Sequence, residues 1–241
     1  MSGIEIIFFI TVVFIAAASP QIIGFGVSTI SMVALSFLFP LPVLLPLVSL
    51  ISVVSTGVVF LKIRNFSFLR KVLFLLIGSA VGVFIGMLFL NVVSEKILEL
   101  FFGLFLVTYS IFGLFFSNIR YKVYKLVSVT VGFIAGFFAS SFNIQGPFVA
   151  AYISSGSHFS KSSMRNSIVA YMFFTGIFTI LGHVFFGRVT EFVLTYAFIA
   201  LPFVLLGSYF GYRIFKIISP HILKKIIYVF ILFSGIVLLF S

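Results

Sequence analysis

No cysteine, tryptophan or aspartate occurs in the 241 residues, and all four acids are glutamates. Without cysteine there is no disulfide, no thiol nucleophile and no Cys-ligated metal. Glu5, Glu95, Glu99 and Glu191 each lie at the edge of an apolar run rather than within one. A carboxylate proton relay or acidic sodium site inside such a run is therefore absent. The HExxH, P-loop and GxSxG patterns are missing too, as are paired carboxylates, which argues against an enzyme. No catalytic residue, metal or cofactor is expected. Charge of any kind is scarce. Only 8% of residues are charged and 62% are hydrophobic, where a soluble domain carries about 25% charged residues. No hydrophilic stretch is long enough for a soluble appendage. Lipid must be the solvent, and one membrane domain fills 1–241.

What is present is largely apolar helix. The net charge of +11 sits in short bursts between apolar runs, the pattern of juxtamembrane positives rather than of a nucleic-acid surface. The segment from Ile4 to Ala18 resembles a signal peptide, but it carries Glu5 in place of a basic n-region. It is expected to belong to the mature chain. Runs near 42–61, 72–92, 98–118, 164–187, 192–213 and 221–240 match the roughly 20 residues of a spanning helix. Two regions are interrupted instead. Ile4–Phe39 is broken by Ser19-Pro20-Gln21-Ile22-Ile23-Gly24-Phe25-Gly26. The run at 123–142 is broken by Ser140-Ser141-Phe142-Asn143-Ile144-Gln145-Gly146-Pro147, after which only Phe148–Ser154 is apolar. A piece that short reads as the returning arm of a re-entrant hairpin. Broken backbone at membrane depth must be buried in protein or line a wet pathway.

Charge chooses the topology. If both interrupted regions cross twice, the basic residues divide about evenly between the faces. If both are hairpins that enter and leave on one face, that face collects Lys62, Arg64, Arg70, Lys71, Arg120, Lys122, Lys125, Lys161, Arg165, Arg213, Lys216, Lys224 and Lys225. The other face keeps Lys96, Arg188 and all four glutamates. The positive-inside rule selects the hairpins, with six crossings, a cytoplasmic basic face and both termini outside. The plasma membrane is the expected location.

The chain also repeats itself. Gly82, Gly86, Ser94, Ile97 and Leu98 match Gly207, Gly211, Ser219, Ile222 and Leu223, each 125 positions on, and Gly57 matches Gly182. Gly26 aligns with Gly146 less tightly, through a short insertion. Each half (1–119 and 120–241) is thus a broken hairpin plus three crossings, and an odd crossing number inverts the second copy. The fold class is all-α, polytopic, with two inverted repeats. Such repeats place a substrate site near the midplane. The Gly82/Gly86, Gly132/Gly136 and Gly207/Gly211 pairs read as close helix packing.

Pro20-Gln21-Ile22-Ile23-Gly24-Phe25-Gly26, Asn143-Ile144-Gln145-Gly146-Pro147, the basic segment 160–166 and the glycine-rich helix at 78–86 together resemble the sulfite exporter TauE/SafE family. The resemblance covers nearly the whole chain. It implies transport of small sulfur-containing or organic anions such as sulfite, sulfoacetate or sulfonates, in a lipid bilayer and without nucleic acid.

An anion can be held here without a charged side chain. Helix N-termini carry unpaired N–H groups and a partial positive charge, and arms starting near Gly26 and Gly146 would converge from opposite sides. The candidate substrate-binding residues are Gln21, Gly24, Gly26, Ser28, Asn143, Gln145, Gly146 and Pro147, with Thr29 as a further donor. The polar ones have an alternative use, satisfying the broken backbone. Arg165 and His183 are candidates for the mouth or gate. Arg165 also fits the topological charge pattern, and His183 equally fits a neutral interhelical bond; His158 and His221 read as loop or helix-end residues. Uniport is the simplest expectation. An anion channel of the same architecture and a membrane scaffold are the other readings.

Overall fold

The computed structural model describes residues 2–63, 69–115, 125–155 and 161–214, with isolated positions 229, 232 and 236. The rest of the run at 221–240, and Arg64, Arg120, Lys122, His158, Lys216, His221, Lys224 and Lys225, lie outside the described residues. Among the described residues every regular element is an α-helix, the form that satisfies its own backbone in lipid. These are α1 Gly3–Ile23, α2 Val27–Leu35, α3 Leu41–Phe60, α4 Leu69–Val92, α5 Glu95–Phe115, α6 Lys125–Phe142, α7 Gly146–Ser155, α8 Lys161–Phe185 and α9 Glu191–Ile214. Five of them (α1, α3, α4, α8 and α9) are long and apolar enough to cross a membrane.

A capping box starts α1. Glu5 N donates to Ser2 Oγ at 3.3 Å, and Ser2 N donates to Glu5 Oε2 at 2.8 Å, satisfying two first-turn donors reciprocally. The helix then runs through Pro20, where the sequence suggests a break beginning at Ser19. Pro20 offers no N–H to the carbonyl of Ala16. The Ser19 hydroxyl replaces it, donating to Ala16 O at 2.8 Å, so the helix persists to Ile23. With 21 residues the first arm is itself about a membrane's length. The interruption lies at its far end rather than half way along.

Both returning arms turn back. Phe39, just past α2, packs edge-on against Phe9 near the start of α1, ring centroids 5.9 Å apart. Tyr152 of α7 bonds Ser128 in the first turn of α6. With 9 and 10 residues respectively, α2 and α7 are too short to cross. These are the re-entrant hairpins.

Glycine sets how the long helices meet. A Cβ at Gly78 or Gly82 of α4 would strike the carbonyl oxygen of Val129 or Phe133 in α6, and one at Gly132 or Gly136 would strike that of Leu75 or Ser79 in return. These contacts make α4 and α6 parallel and nearly touching along their backbones, as small-xxx-small steps allow. A second parallel seam joins α9 to α1, with Gly207 on the Phe14 carbonyl and Gly211 on Ala18. Each hairpin's long arm therefore packs on a crossing helix from the other half of the chain. Between the seams α3 and α8 run antiparallel, Gly57 against Phe173 and Gly176 against Val53. These directions put Lys62, Arg70, Lys71, Lys125, Lys161, Arg165 and Arg213 at one end, and Glu5, Glu95, Lys96, Glu99, Arg188 and Glu191 at the other.

Candidate functional site

The first break is built by three residues. Gly24 ends α1 in the left-handed region (φ 85°), its N–H donating to Pro20 O at 3.0 Å. Phe25 follows, and Gly26 (φ 113°) forms the N-cap of α2. Only glycine enters that region without steric cost. Because Gly26 has no side chain, nothing from the cap reaches the first-turn amides. The first helical bond of α2 is Ile30 N to Gly26 O, 2.8 Å, so the N–H groups of Val27, Ser28 and Thr29 have no partner within their helix. Ser28 is 1% exposed and its hydroxyl has no hydrogen-bond partner. Gln21, in the last turn of α1, is equally buried and its Nε2 lacks a partner as well. From α8, Arg165 Nη1 donates to the Gln21 carbonyl at 3.2 Å.

The second break reaches a similar shape by different means. Asn143 takes the left-handed conformation (φ 55°) at the end of α6. Asn143 N bonds Ala139 O at 2.9 Å, the bond of an αL stop in which asparagine replaces glycine, and Ile144 N reaches back to Phe138 O at 3.2 Å. The Asn143 side chain is fully used: besides facing Met32 Sδ of α2, 3.9 Å from its Nδ2, it bonds α3. Its Nδ2 donates to Leu45 O at 2.7 Å, and its Oδ1 accepts from Ser49 Oγ at 2.9 Å. Gln145 precedes α7 and is 3% exposed, with Oε1 unpartnered. Gly146 opens α7, and Pro147, its second residue, has no N–H to satisfy and suits the first turn. Phe102 and Phe105 of α5, Phe138 and Phe142 of α6 and Phe148 of α7 stack beside this break, with Phe105 and Phe138 4.5 Å apart.

The breaks meet where the Phe25 side chain lies against Gly146. A Cβ placed on Gly146 would stand 2.8 Å from Phe25 Cβ, so the start of α7 is pressed against the residue preceding α2. The two stops are offset even so. Asn143 is tied near the start of α3, whereas Gly24 lies against Ile168, opposite the far end of α3. Phe25 and Gly146 lie between them. Gly24, Phe25, Gly26, Gln145 and Gly146 are all buried, so the meeting point is sealed from both ends.

His183 is not brought to this point. It is fully buried in the last turn of α8, roughly 27 Å along the helix from Arg165, and neither ring nitrogen has a hydrogen-bond partner. A hollow of about 240 Å³ also lies elsewhere, bordered by Ser36–Leu41 and Glu99. Phe25, Ser49 and Met32 are the residues that sequence reasoning passed over. Ser49 had a signal, a hydroxyl in the otherwise apolar stretch 42–51. Phe25 looked like filler between two glycines.

The family model for the sulfite exporter TauE/SafE matches residues 9–238. No curated protein and no solved structure matches the chain. The match spans both hairpins apart from the first residues of α1, both glycine seams and the crossing helices between them, a multi-pass membrane architecture in which only residues 2–8 of the described fold fall outside the match. The chain belongs to the sulfite exporter TauE/SafE family.

Proposed function

We propose that the chain carries small sulfur-containing or organic anions, such as sulfite or sulfonates, across the plasma membrane, and that the anion is held between the N-termini of α2 and α7. Family membership makes it a membrane transporter of sulfur anions in general. The holding site is the further step. The observation that carries it is the contact of Gly146 with Phe25, which brings two helix N-termini together where Gln21, Ser28 and Gln145 keep buried polar atoms without partners. A buried polar group left unpaired costs about 1–3 kcal/mol, a cost that an anion accepting from Gln21 Nε2 and Ser28 Oγ would relieve; the open atom of Gln145 is Oε1, an acceptor, and offers no such donation. Gly24 and Gly26 shape the first break, Asn143 and Pro147 the second. Neutral donors suit a carrier, because a full charge in a dry site would hold the anion too firmly to release.

The two halves, 1–119 and 120–241, are read as inverted repeats. Their reciprocal packing supports this, α1 on α9 and α6 on α4. So do their breaks. The stops pair Gly24 with Asn143 and the caps pair Gly26 with Gln145, one residue away from matching glycine to glycine. The end carrying Lys62, Arg165 and Arg213 is read as cytoplasmic and the termini as external. An interior-negative potential then favours export of a monovalent anion by about 2.3 kcal/mol per 100 mV, and uniport needs no coupling ion. Burial of the meeting point from both ends supports a carrier over an open channel. The test is an anion panel in proteoliposomes with voltage clamped. Saturable counterflow of sulfite or a sulfonate, lost in Gly146→Leu, is the expected result. Normal flux in a folded Gly146→Leu protein, or large unitary currents, would overturn it.

A further inference from the structure

We propose that Arg165 makes the two approaches to the site unequal, acting as a strap on the first break and as the first ligand of an anion arriving from the α8 N-terminal end. The proposal rests on the site described above and adds a sidedness to it. The two breaks are tied down by different chemistry. At the second, the tether is neutral, with Asn143 bound to Leu45 O and to Ser49. At the first, the tether is cationic. Arg165 Nη1 donates to Gln21 O, and its Cγ lies 3.4 Å from where a Cβ on Gly24 would be. The last turn of α1 holds no basic residue of its own, so α8 supplies the positive charge that a helix C-terminus favours.

That carbonyl is a neutral acceptor. An anion is a stronger one, since it adds an opposite charge to a bond in which only the donor is ionised and can accept two guanidinium N–H groups at once. An anion entering beside α8 can therefore take the guanidinium from Gln21 O. The exchange loosens α1 at Gly24, the left-handed hinge of the break, while the anion gains its first ligand. No equivalent exchange is available at Asn143, whose amide presents no charge. Of the two cations described at that end, Lys96 is exposed at the start of α5, and Arg188 is occupied by Asn91 Oδ1 at 2.6 Å and stands over the Phe186 ring. His183 at that end is fully buried.

Sided kinetics decide the matter. The protein is reconstituted in one orientation, sorted by a terminal tag, and sulfite KM is measured from each side. The wild type should show the lower KM on the Arg165 side. Arg165→Gln should raise that KM by about tenfold, the worth of one charge-assisted hydrogen bond, and leave the opposite KM within about twofold. Arg165→Lys should recover most of the asymmetry. A double Lys62→Gln/Arg213→Gln variant removes exposed charge from the same end and should keep the asymmetry. If Arg165→Gln moves both KM values together, or moves neither, the proposal fails and Arg165 is only a cap for α1. If the Lys62/Arg213 variant abolishes the asymmetry, the general field is responsible and the proposal also fails. Absence of sulfite flux in the wild type would overturn the site itself, a different result from flux that persists without sidedness.

Discussion

Glycine does two opposite jobs in this protein, and the seams and the breaks show them side by side. In α4, α6 and α9, glycine sits in regular helix and matters for the side chain it lacks, because a neighbouring backbone occupies that volume. At Gly24 and Gly26 it matters for its backbone, which turns left-handed and lets one helix stop and another start within three residues. Gly146 belongs with the first group. It begins a helix without left-handed backbone, and it matters because the Phe25 side chain occupies the volume beside it. Glycine content by itself therefore does not mark a transport site. The informative glycines are those beside buried polar atoms that the fold leaves unpaired.

Substitutions can separate the two jobs. The largest effect is expected at a seam. Gly82→Leu must displace the Phe133 carbonyl and the Phe137 amide, the latter 2.8 Å from the new Cβ. A backbone clash of this kind should cost at least about 3 kcal/mol and yield little protein that elutes as a single species in detergent. Gly146→Leu comes next. The atoms met are Phe25 Cβ, Cγ and Cδ2, which sit in the short link between α1 and α2 rather than in a helix backbone, so the link gives way and the variant should insert and unfold cooperatively on heating while its anion flux falls to background. Gly24→Ala should be milder, since the nearest atoms stand 3.4 Å from the added Cβ. Left-handed backbone alone should lower stability by about 1–2 kcal/mol, read as a modest drop in Tm. Ser28→Ala should be smallest in stability and the most discriminating. Its hydroxyl has no partner to lose, so Tm should hold or rise slightly, yet KM should increase about three- to tenfold if that hydroxyl meets the anion. A falling Tm with unchanged KM would return Ser28 to a structural role.

Much of this plan was legible before any coordinates. Helix positions followed from apolar runs, and the short apolar piece Phe148–Ser154 announced a hairpin because so few residues cannot cross a bilayer. The small-xxx-small pairs were correctly assigned to packing, because spacing of four is a property of helix surfaces. What was not legible depended on long-range partners. Pro20 looked like a breaker, and only the Ser19 hydroxyl on Ala16 O explains why it does not break α1. Asn143 was equally plausible as ligand or as backbone support. Its bonds to Leu45 and Ser49, residues about a hundred positions earlier, favour support. Gln21 remains a candidate for contact with an anion because its unpaired buried atom, Nε2, is a donor, whereas that of Gln145, Oε1, is an acceptor. The pairing of Phe25 with Gly146 has no sequence signal, since neither residue type nor spacing encodes contact across 121 positions.

That pairing carries the account, and the absence of cysteine makes it easy to test. Phe25→Cys and Gly146→Cys introduced together are the only thiols in the protein. A relaxation of about 1 Å from the 2.8 Å spacing reaches the Cβ separation of a disulfide, roughly 3.8 Å. The account predicts rapid, near-complete disulfide formation under mild oxidation in the membrane, well above a control pairing Phe25→Cys with a cysteine at exposed Phe198. A yield no higher than that control would mean that the two breaks do not meet, and the proposed site would be contradicted.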